Sequence, residues 1–143
     1  MNRMDTIYLY NEYIKLYRIS WCIILTGLYG VYNGHYTLSI APFIVGFTSL
    51  NHWRHPIQSY RRMIDLICVK SAAIYKTYLI QDAQYITIYK SFFVCIALIY
   101  IFGYYQYNYA NNRKVSLYAH LLVHILSNIG CIILYSGNIT TIF

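Results

Sequence analysis

The sequence predicts an all-α fold, a polytopic transmembrane helical bundle of about five spans that forms a single integral membrane domain over residues 1–143. Of the 143 residues, 59% are hydrophobic and only 10% are charged, whereas soluble domains carry roughly 25% charged residues. Five apolar segments follow one another, each close to the roughly 20 residues that a membrane span needs. Because five spans use about 100 residues, only short loops and tails remain, which excludes Rossmann, P-loop and barrel enzymes.

The spans are predicted at about residues 13–32, 37–53, 57–80, 85–105 and 116–135. The first is interpreted as a retained span rather than a signal peptide, because residues 33–36 after it lack an A-x-A cleavage pattern. The second ends at Arg54-His55-Pro56, since Pro56 disfavours helix at His55 and can begin the next helix.

The third segment is more polar than the others. Its charged residues are Arg61, Arg62, Asp65, Lys70 and Lys76. A four-span bundle with this segment lying in the membrane interface is therefore an alternative. The fourth segment is strongly apolar and precedes an Asn-rich loop over residues 107–114, and the fifth leads into a short uncharged tail.

Basic residues concentrate in the N-terminal segment and in the loops after the second and fourth spans. The positive-inside rule then predicts an inside N-terminus and an outside C-terminus. The net charge of +7 suits phospholipid headgroups, and the chain lacks the aromatic-interleaved basic groove of nucleic-acid binders. Membrane lipids are the expected partners, and nucleic acid is not. The scattered cysteines form no CxxC pair, which argues against a disulfide framework or a thiolate zinc site.

Polar side chains inside the predicted spans indicate where function lies, because ionisable groups in a membrane are costly and usually functional. His120 and His124 are four residues apart in the fifth span, share one helix face and can chelate one metal ion. In the second span, Thr48 lies one turn before His52 on the same face. Each histidine also has a plainer interpretation, as an interfacial or hydrogen-bonded residue.

Asp65 is the one carboxylate well within an apolar segment. A local ion pair with Arg61 or Arg62 would add only about 0.2–0.5 kcal/mol, which is little against the cost of a carboxylate in a membrane. The predicted topology brings Asp65 to a depth near the inner face similar to that of the histidines in spans two and five. The polar groups of three helices are therefore expected to converge.

Such a convergence fits metal-assisted hydrolysis. Three histidines and an open position are how proteins hold a zinc ion that activates water, and His52, His120 and His124 are the predicted ligands. A nearby carboxylate, Asp65, can act as general base or orient a ligand. A hydroxyl such as that of Thr48 can donate to a developing oxyanion.

The same residues resemble the signature of the CREST superfamily, which includes alkaline ceramidases and the progestin and adiponectin receptors. They are Thr48 and His52 in "TSLNH", Asp65 in "RRMID", and His120 and His124 in "HLLVH". The resemblance, to a shortened member, implies an intramembrane zinc ion on the three histidines. It also implies Asp65 as the carboxylate that activates water or orients a ligand, Thr48 as oxyanion donor, and hydrolysis of a lipid amide such as ceramide.

The chain departs from that family in two respects. The family has seven helices, whereas about five are predicted here, with two helices missing before the last. The family hydroxyl is usually serine, but here Thr48 holds that position and Ser49 beside it is expected to turn off the face.

Two other functions remain open. The first is a non-enzymatic structural membrane protein, or a subunit of a larger membrane or virion assembly, with partner membrane proteins and no metal. The second is a haem or proton-relay protein, because two histidines on facing helices can hold haem.

Overall fold

The computed structural model describes residues 8–57 and 59–139, and within them the chain forms five α-helices. They are α1 (Tyr10–Tyr32), α2 (Tyr36–Trp53), α3 (Tyr60–Leu79), α4 (Ile86–Asn108) and α5 (Arg113–Tyr135). The predicted all-helical fold is confirmed, and the helix bounds agree with the predicted segments to within a few residues. Residues 1–7, which hold part of the basic N-terminal segment, and residues 140–143 at the end of the uncharged tail lie outside the described residues. The orientation of the termini across a membrane stays a prediction.

Local chemistry explains where the helices begin and end. The Asn112 side chain accepts a hydrogen bond from the Val115 amide at 3.2 Å and so caps the start of α5. Gly34 has a φ of 82° in the turn between α1 and α2, a conformation that glycine adopts without steric cost. The Glu12 carboxylate accepts from the Leu9 amide at 3.0 Å, which satisfies a free donor at the start of α1.

The helices pack side by side in the order α3, α2, α1, α5, α4. The central helix α1 contacts both α2 and α5, while α3 and α4 stand at the two ends of the row. The row curls, because residues of both α3 and α4 line a common cavity. Thr26 of α1 donates to the Asn128 side chain of α5 at 2.6 Å, a buried hydrogen bond that joins the two helices.

Two apolar clusters hold the opposite ends of the bundle. The first, here called the N-end cluster, consists of Tyr8, Leu16, Trp53 and Leu117. The second, here called the C-end cluster, consists of Leu38, Leu79, Ile80, Ala83, Tyr89, Cys131, Leu134 and Tyr135. The predicted polar site lies beside the first cluster, since Trp53 borders the cavity.

Three helices, α1, α4 and α5, are long and apolar enough to cross a membrane. The α4 helix presents Val94, Leu98 and Ile101 on its surface, each more than half exposed, as expected of a lipid-facing helix. These features are compatible with an integral membrane protein. The α2 helix, which ends in Asn51-His52-Trp53, and the charged α3 helix do not meet the same standard of length and hydropathy.

Candidate functional site

A cavity of about 80 Å³ lies between the helices at the end of the bundle that holds the N-end cluster. His52 of α2, Asp65 of α3 and His120 of α5 all lie on its wall. The wall is completed by Tyr8, Trp53, Arg62, Leu66, Ile99, Tyr100, Gly103, Tyr104, Tyr107, Asn108 and Ser116. Three of the five predicted site residues therefore border one space, although they come from three different helices.

The carboxyl group of Asp65 is held by two neighbouring hydroxyl groups of α2. Its Oδ1 atom accepts from Ser49 at 2.7 Å and from Thr48 at 3.0 Å, and the side chain is 8% exposed. Among the described residues, Asp65 thus accepts its hydrogen bonds from hydroxyls rather than from the guanidinium groups of Arg61 or Arg62. Hydrogen bonds to a charged acceptor contribute about 1.5–3 kcal/mol each, which offsets part of the cost of burying the carboxylate.

Ser49 was expected to turn off the face of Thr48 and His52, yet its hydroxyl reaches Asp65. Its hydroxyl, on a side chain that is 1% exposed, makes the shorter of the two bonds to Asp65. Helix positions 48 and 49 point in directions about 100° apart, and the two hydroxyls converge because Oδ1 lies within reach of both. Thr48 also donates to the Val45 carbonyl at 3.1 Å. A hydroxyl has a single hydrogen, so Thr48 would have to give up one of these acceptors to donate to an oxyanion. Its part as an oxyanion donor stays a prediction.

The histidine rings form a row that is interrupted by an indole. Ring centroids are 4.5 Å apart for His52 and Trp53, 5.1 Å for Trp53 and His120, and 5.0 Å for His120 and His124. The predicted pair His120 and His124 is adjacent, but Trp53 stands between this pair and His52. Within residues 8–57 and 59–139, three or more His, Cys, Asp or Glu side chains do not come close enough together to hold a metal ion. The three-histidine zinc site therefore stays a prediction.

Three buried nitrogen atoms of this row have no hydrogen-bond partner in the described protein, namely His52 Nδ1, Trp53 Nε1 and His124 Nε2. A buried polar atom left without a partner costs about 1–3 kcal/mol. The unpartnered nitrogens favour a bound metal ion, whereas the lack of a cluster of three donors among the described residues does not. The nitrogens leave hydrogen-bonding capacity unused in this part of the bundle, whereas the described residues do not bring His52 together with His120 and His124 as a group of three donors.

Three further residues of this site were not among the predicted site residues. Arg62 borders the cavity together with Asp65, and its position three residues before Asp65 on α3 could have indicated a shared face. Trp53 follows His52 directly, yet its place between two histidines depends on the packing of α2 against the rest of the bundle. Tyr8 precedes α1 and is hydrogen-bonded to the Ser116 hydroxyl at 3.1 Å, which closes one edge of the site.

Two basic residues near the predicted site lie apart from it. His55 and Lys70 are both exposed. Comparison of the chain with protein-family models, with curated proteins and with solved structures finds no match. The function must therefore be inferred from the site itself.

Proposed function

We propose that the chain is a multi-pass membrane protein that binds zinc through His52, His120 and His124 and hydrolyses a lipid amide, as its resemblance to the CREST superfamily implies. The observation that supports this proposal most is the common cavity, to which α2, α3 and α5 each contribute one predicted site residue. The ring nitrogens of His52 and His124, which have no hydrogen-bond partner among residues 8–57 and 59–139, add atoms that could bind the metal ion. At such a site, zinc supplies activation of a water molecule.

The protein's own groups supply orientation and proton transfer. Ser49 and Thr48 both bind Oδ1 of Asp65, which fixes the carboxyl plane and leaves Oδ2 to accept a proton from a water molecule in the cavity. Arg62 on the same wall is a permanent cation that can bind the carbonyl or headgroup oxygen of a substrate. The burial of Asp65 keeps competing bulk water away from this proton transfer.

The size of the cavity limits what it can accept. A volume of about 80 Å³ is several times the roughly 10–15 Å³ that one water molecule needs in a cavity, so the cavity holds several water molecules or a small polar group. An acyl chain must then lie outside, against apolar side chains. Ile67 of α3 and Leu98 of α4 are 60% and 62% exposed and provide such surfaces. The substrate that fits is a lipid whose amide enters the cavity while its chains remain in the bilayer.

A structural function is the second candidate. The position of Trp53 between His52 and His120 favours it, because an indole packed between imidazoles is also a way to fill a core. A structural protein would use the broad apolar surface of α4 to contact lipid or a partner membrane protein. In that case the histidines contribute packing and hydrogen bonds, and no metal is bound.

The test is an amidase assay on full-length protein purified in detergent and supplied with zinc, with a fluorescent ceramide as the lipid amide. The wild type should release fatty acid, and Asp65→Asn should lower the rate by about 10²-fold or more, as is typical for loss of a general base. Lys70→Gln changes an exposed charge on the same helix and should retain the wild-type rate. Equal rates for the wild type and Asp65→Asn, or no release by zinc-loaded wild type, would contradict the proposal.

A further inference from the structure

Lys76 of α3 is buried beside apolar residues at the end of the bundle away from His52, His120 and His124. Its side chain is 7% exposed, and it packs beside the C-end cluster, which includes Cys131 and Tyr135. The Lys76 ammonium donates to Sγ of Cys131 at 2.9 Å and lies 5.5 Å from the centroid of the Tyr135 ring. The titratable side chains that interact electrostatically with Lys76 are the thiol of Cys131 and the phenols of Tyr135 and Tyr89, and within the described part of the chain no carboxylate joins them.

The thiol explains how this lysine can be buried. An isolated ammonium in an apolar interior costs several kcal/mol. If the thiol of Cys131 shares its proton with the Lys76 nitrogen, the pair is neutral overall, whether it exists as ammonium and thiolate or as amine and thiol. Cys131 is itself only 8% exposed, so both side chains of the pair are largely shielded from solvent. The pair therefore places a sulfur that is nucleophilic as the thiolate in direct contact with a nitrogen that becomes nucleophilic once the ammonium loses a proton.

We propose that Lys76 and Cys131 are a redox-sensitive pair that forms a covalent nitrogen–sulfur bond between α3 and α5 when the protein meets hydrogen peroxide. The proposal rests on the separation of 2.9 Å, at which no other atom stands between the nitrogen and the sulfur. The lysine has a flexible four-carbon stem, so the nitrogen can close this distance without a shift of either helix. Peroxide is small enough to enter a packed interior, and the reaction is independent of the proposed zinc site.

The chemistry balances in two steps. In the first, the Cys131 thiolate attacks peroxide, an S–O bond forms as the O–O bond breaks, and the departing hydroxide takes a proton from the Lys76 ammonium to leave as water. Sulfur is oxidised to a sulfenic acid and peroxide is reduced. In the second, the neutral Lys76 amine attacks that sulfur, an N–S bond forms, and the sulfenic oxygen leaves as a second water. Sulfenic acids are known to condense with nitrogen in this way to give sulfenamides that thiols reverse.

Such a bond would connect the two helices that carry the polar site. Asp65 lies on α3 and His120 on α5, both on the wall of the cavity, whereas Lys76 and Cys131 lie about three turns further along the same helices. A covalent link at positions 76 and 131 would fix the spacing of α3 and α5 at that end. Oxidation would then restrict how far the two helices can separate around the cavity.

The test is peptide mapping by mass spectrometry of full-length protein, treated with hydrogen peroxide, blocked with a thiol reagent and digested. The expected product joins the peptides that contain Lys76 and Cys131, with a mass two hydrogens (about 2 Da) below their sum. Trypsin should no longer cleave after Lys76, and dithiothreitol should restore both separate peptides. Cys131→Ser and Lys76→Arg should each abolish the product. Cys95→Ser, which removes an exposed cysteine, should leave it unchanged.

The wild-type measurement decides the question even if a variant fails to fold. Recovery of Cys131 from peroxide-treated wild type as a free thiol, as a sulfinic acid or in a disulfide, with trypsin still cleaving after Lys76, would overturn the proposal. Persistence of the joined peptides in Cys131→Ser would overturn it as well, because the bond would then involve another cysteine.

Discussion

The hydroxyl of Tyr135 donates a hydrogen bond to the carbonyl oxygen of Leu38 at 3.2 Å. Leu38 lies four residues before Pro42, which sits inside α2 and has no N–H to offer this carbonyl. Both Leu38 and Tyr135 are fully buried, so water does not take the place of the missing donor. A proline in the middle of α2 is therefore compatible with the fold because α5 supplies the hydrogen bond that α2 has lost.

This relationship predicts a coupling between Tyr135 and Pro42. Tyr135→Phe should lower the free energy of unfolding by about 1–3 kcal/mol, since it leaves a buried carbonyl without a donor. In a Pro42→Ala background the cost should shrink, because the new amide at position 42 can bond the Leu38 carbonyl. A double-mutant cycle measured by denaturant unfolding in detergent checks this. The same cost of Tyr135→Phe in both backgrounds would show that the phenol stabilises the bundle in another way.

The two hydroxyls around Asp65 are expected to differ in importance. Ser49→Ala removes the shorter bond from a fully buried side chain and should cost about 1.5–3 kcal/mol, the range for hydrogen bonds to charged groups. Thr48→Ser keeps the second hydroxyl and is the matched control, with a change below about 1 kcal/mol. Combining Ser49→Ala with Asp65→Asn should give less than the sum of the two costs. Full additivity would mean that Ser49 does not act through Asp65.

The close packing of α4 against α5 is expected to depend on Gly103. An added Cβ at this position would lie 2.9 Å from the Cβ of Ala119, and neither methyl group can rotate away. Gly103→Ala should therefore cost about 1–3 kcal/mol through overpacking. At Gly130, on the same interface, an added Cβ would lie 3.3 Å from Phe92. Gly130→Ala should be nearly neutral, because the better helix propensity of alanine, worth up to about 1 kcal/mol, offsets the mild crowding against Phe92. Thermal unfolding of both variants in the same detergent tests the order.

The pH dependence of stability should carry a contribution from Tyr8. Burial raises the pKa of the Tyr8 phenol above its ordinary value, and the phenol is hydrogen-bonded to Ser116. A raised folded-state pKa gives stability that is complete below about pH 10, the ordinary tyrosine value, and is lost as pH rises through the folded pKa. The stability difference between wild type and Tyr8→Phe should therefore narrow above about pH 10. A constant difference from pH 8 to 11 would contradict this.

The helices and their ends followed from local sequence. Apolar segments long enough for spans predicted all five, and the break at Pro56 and the Asn-rich loop before Arg113 marked two of the boundaries. These features depend on neighbours within a few residues, which is why a single sequence reveals them. The convergence of His52, Asp65 and His120 on one cavity followed from counting turns along three helices that alternate in direction.

The lateral order of the helices could not be predicted, because it depends on contacts between distant segments. Nothing near Lys76 in the sequence shows that it is buried, since its partner Cys131 is 55 residues away. The packing of Trp53 against both His52 and His120 likewise depends on contacts between segments that are distant in the sequence. That both Thr48 and Ser49 reach Asp65 depends on the rotation of α2 against α3, which helix periodicity alone does not reveal.

The metal content of the full-length protein, purified in detergent without chelator, tests the central proposal most directly. About one zinc per chain is expected for the wild type, with loss of the metal in His124→Ala because the pair with His120 is broken. His55→Ala, which removes an exposed histidine outside the site, should retain the zinc. Freshly prepared wild type without zinc, or a His124→Ala variant that binds as much zinc as the wild type, would contradict the zinc site and leave the structural function as the better account.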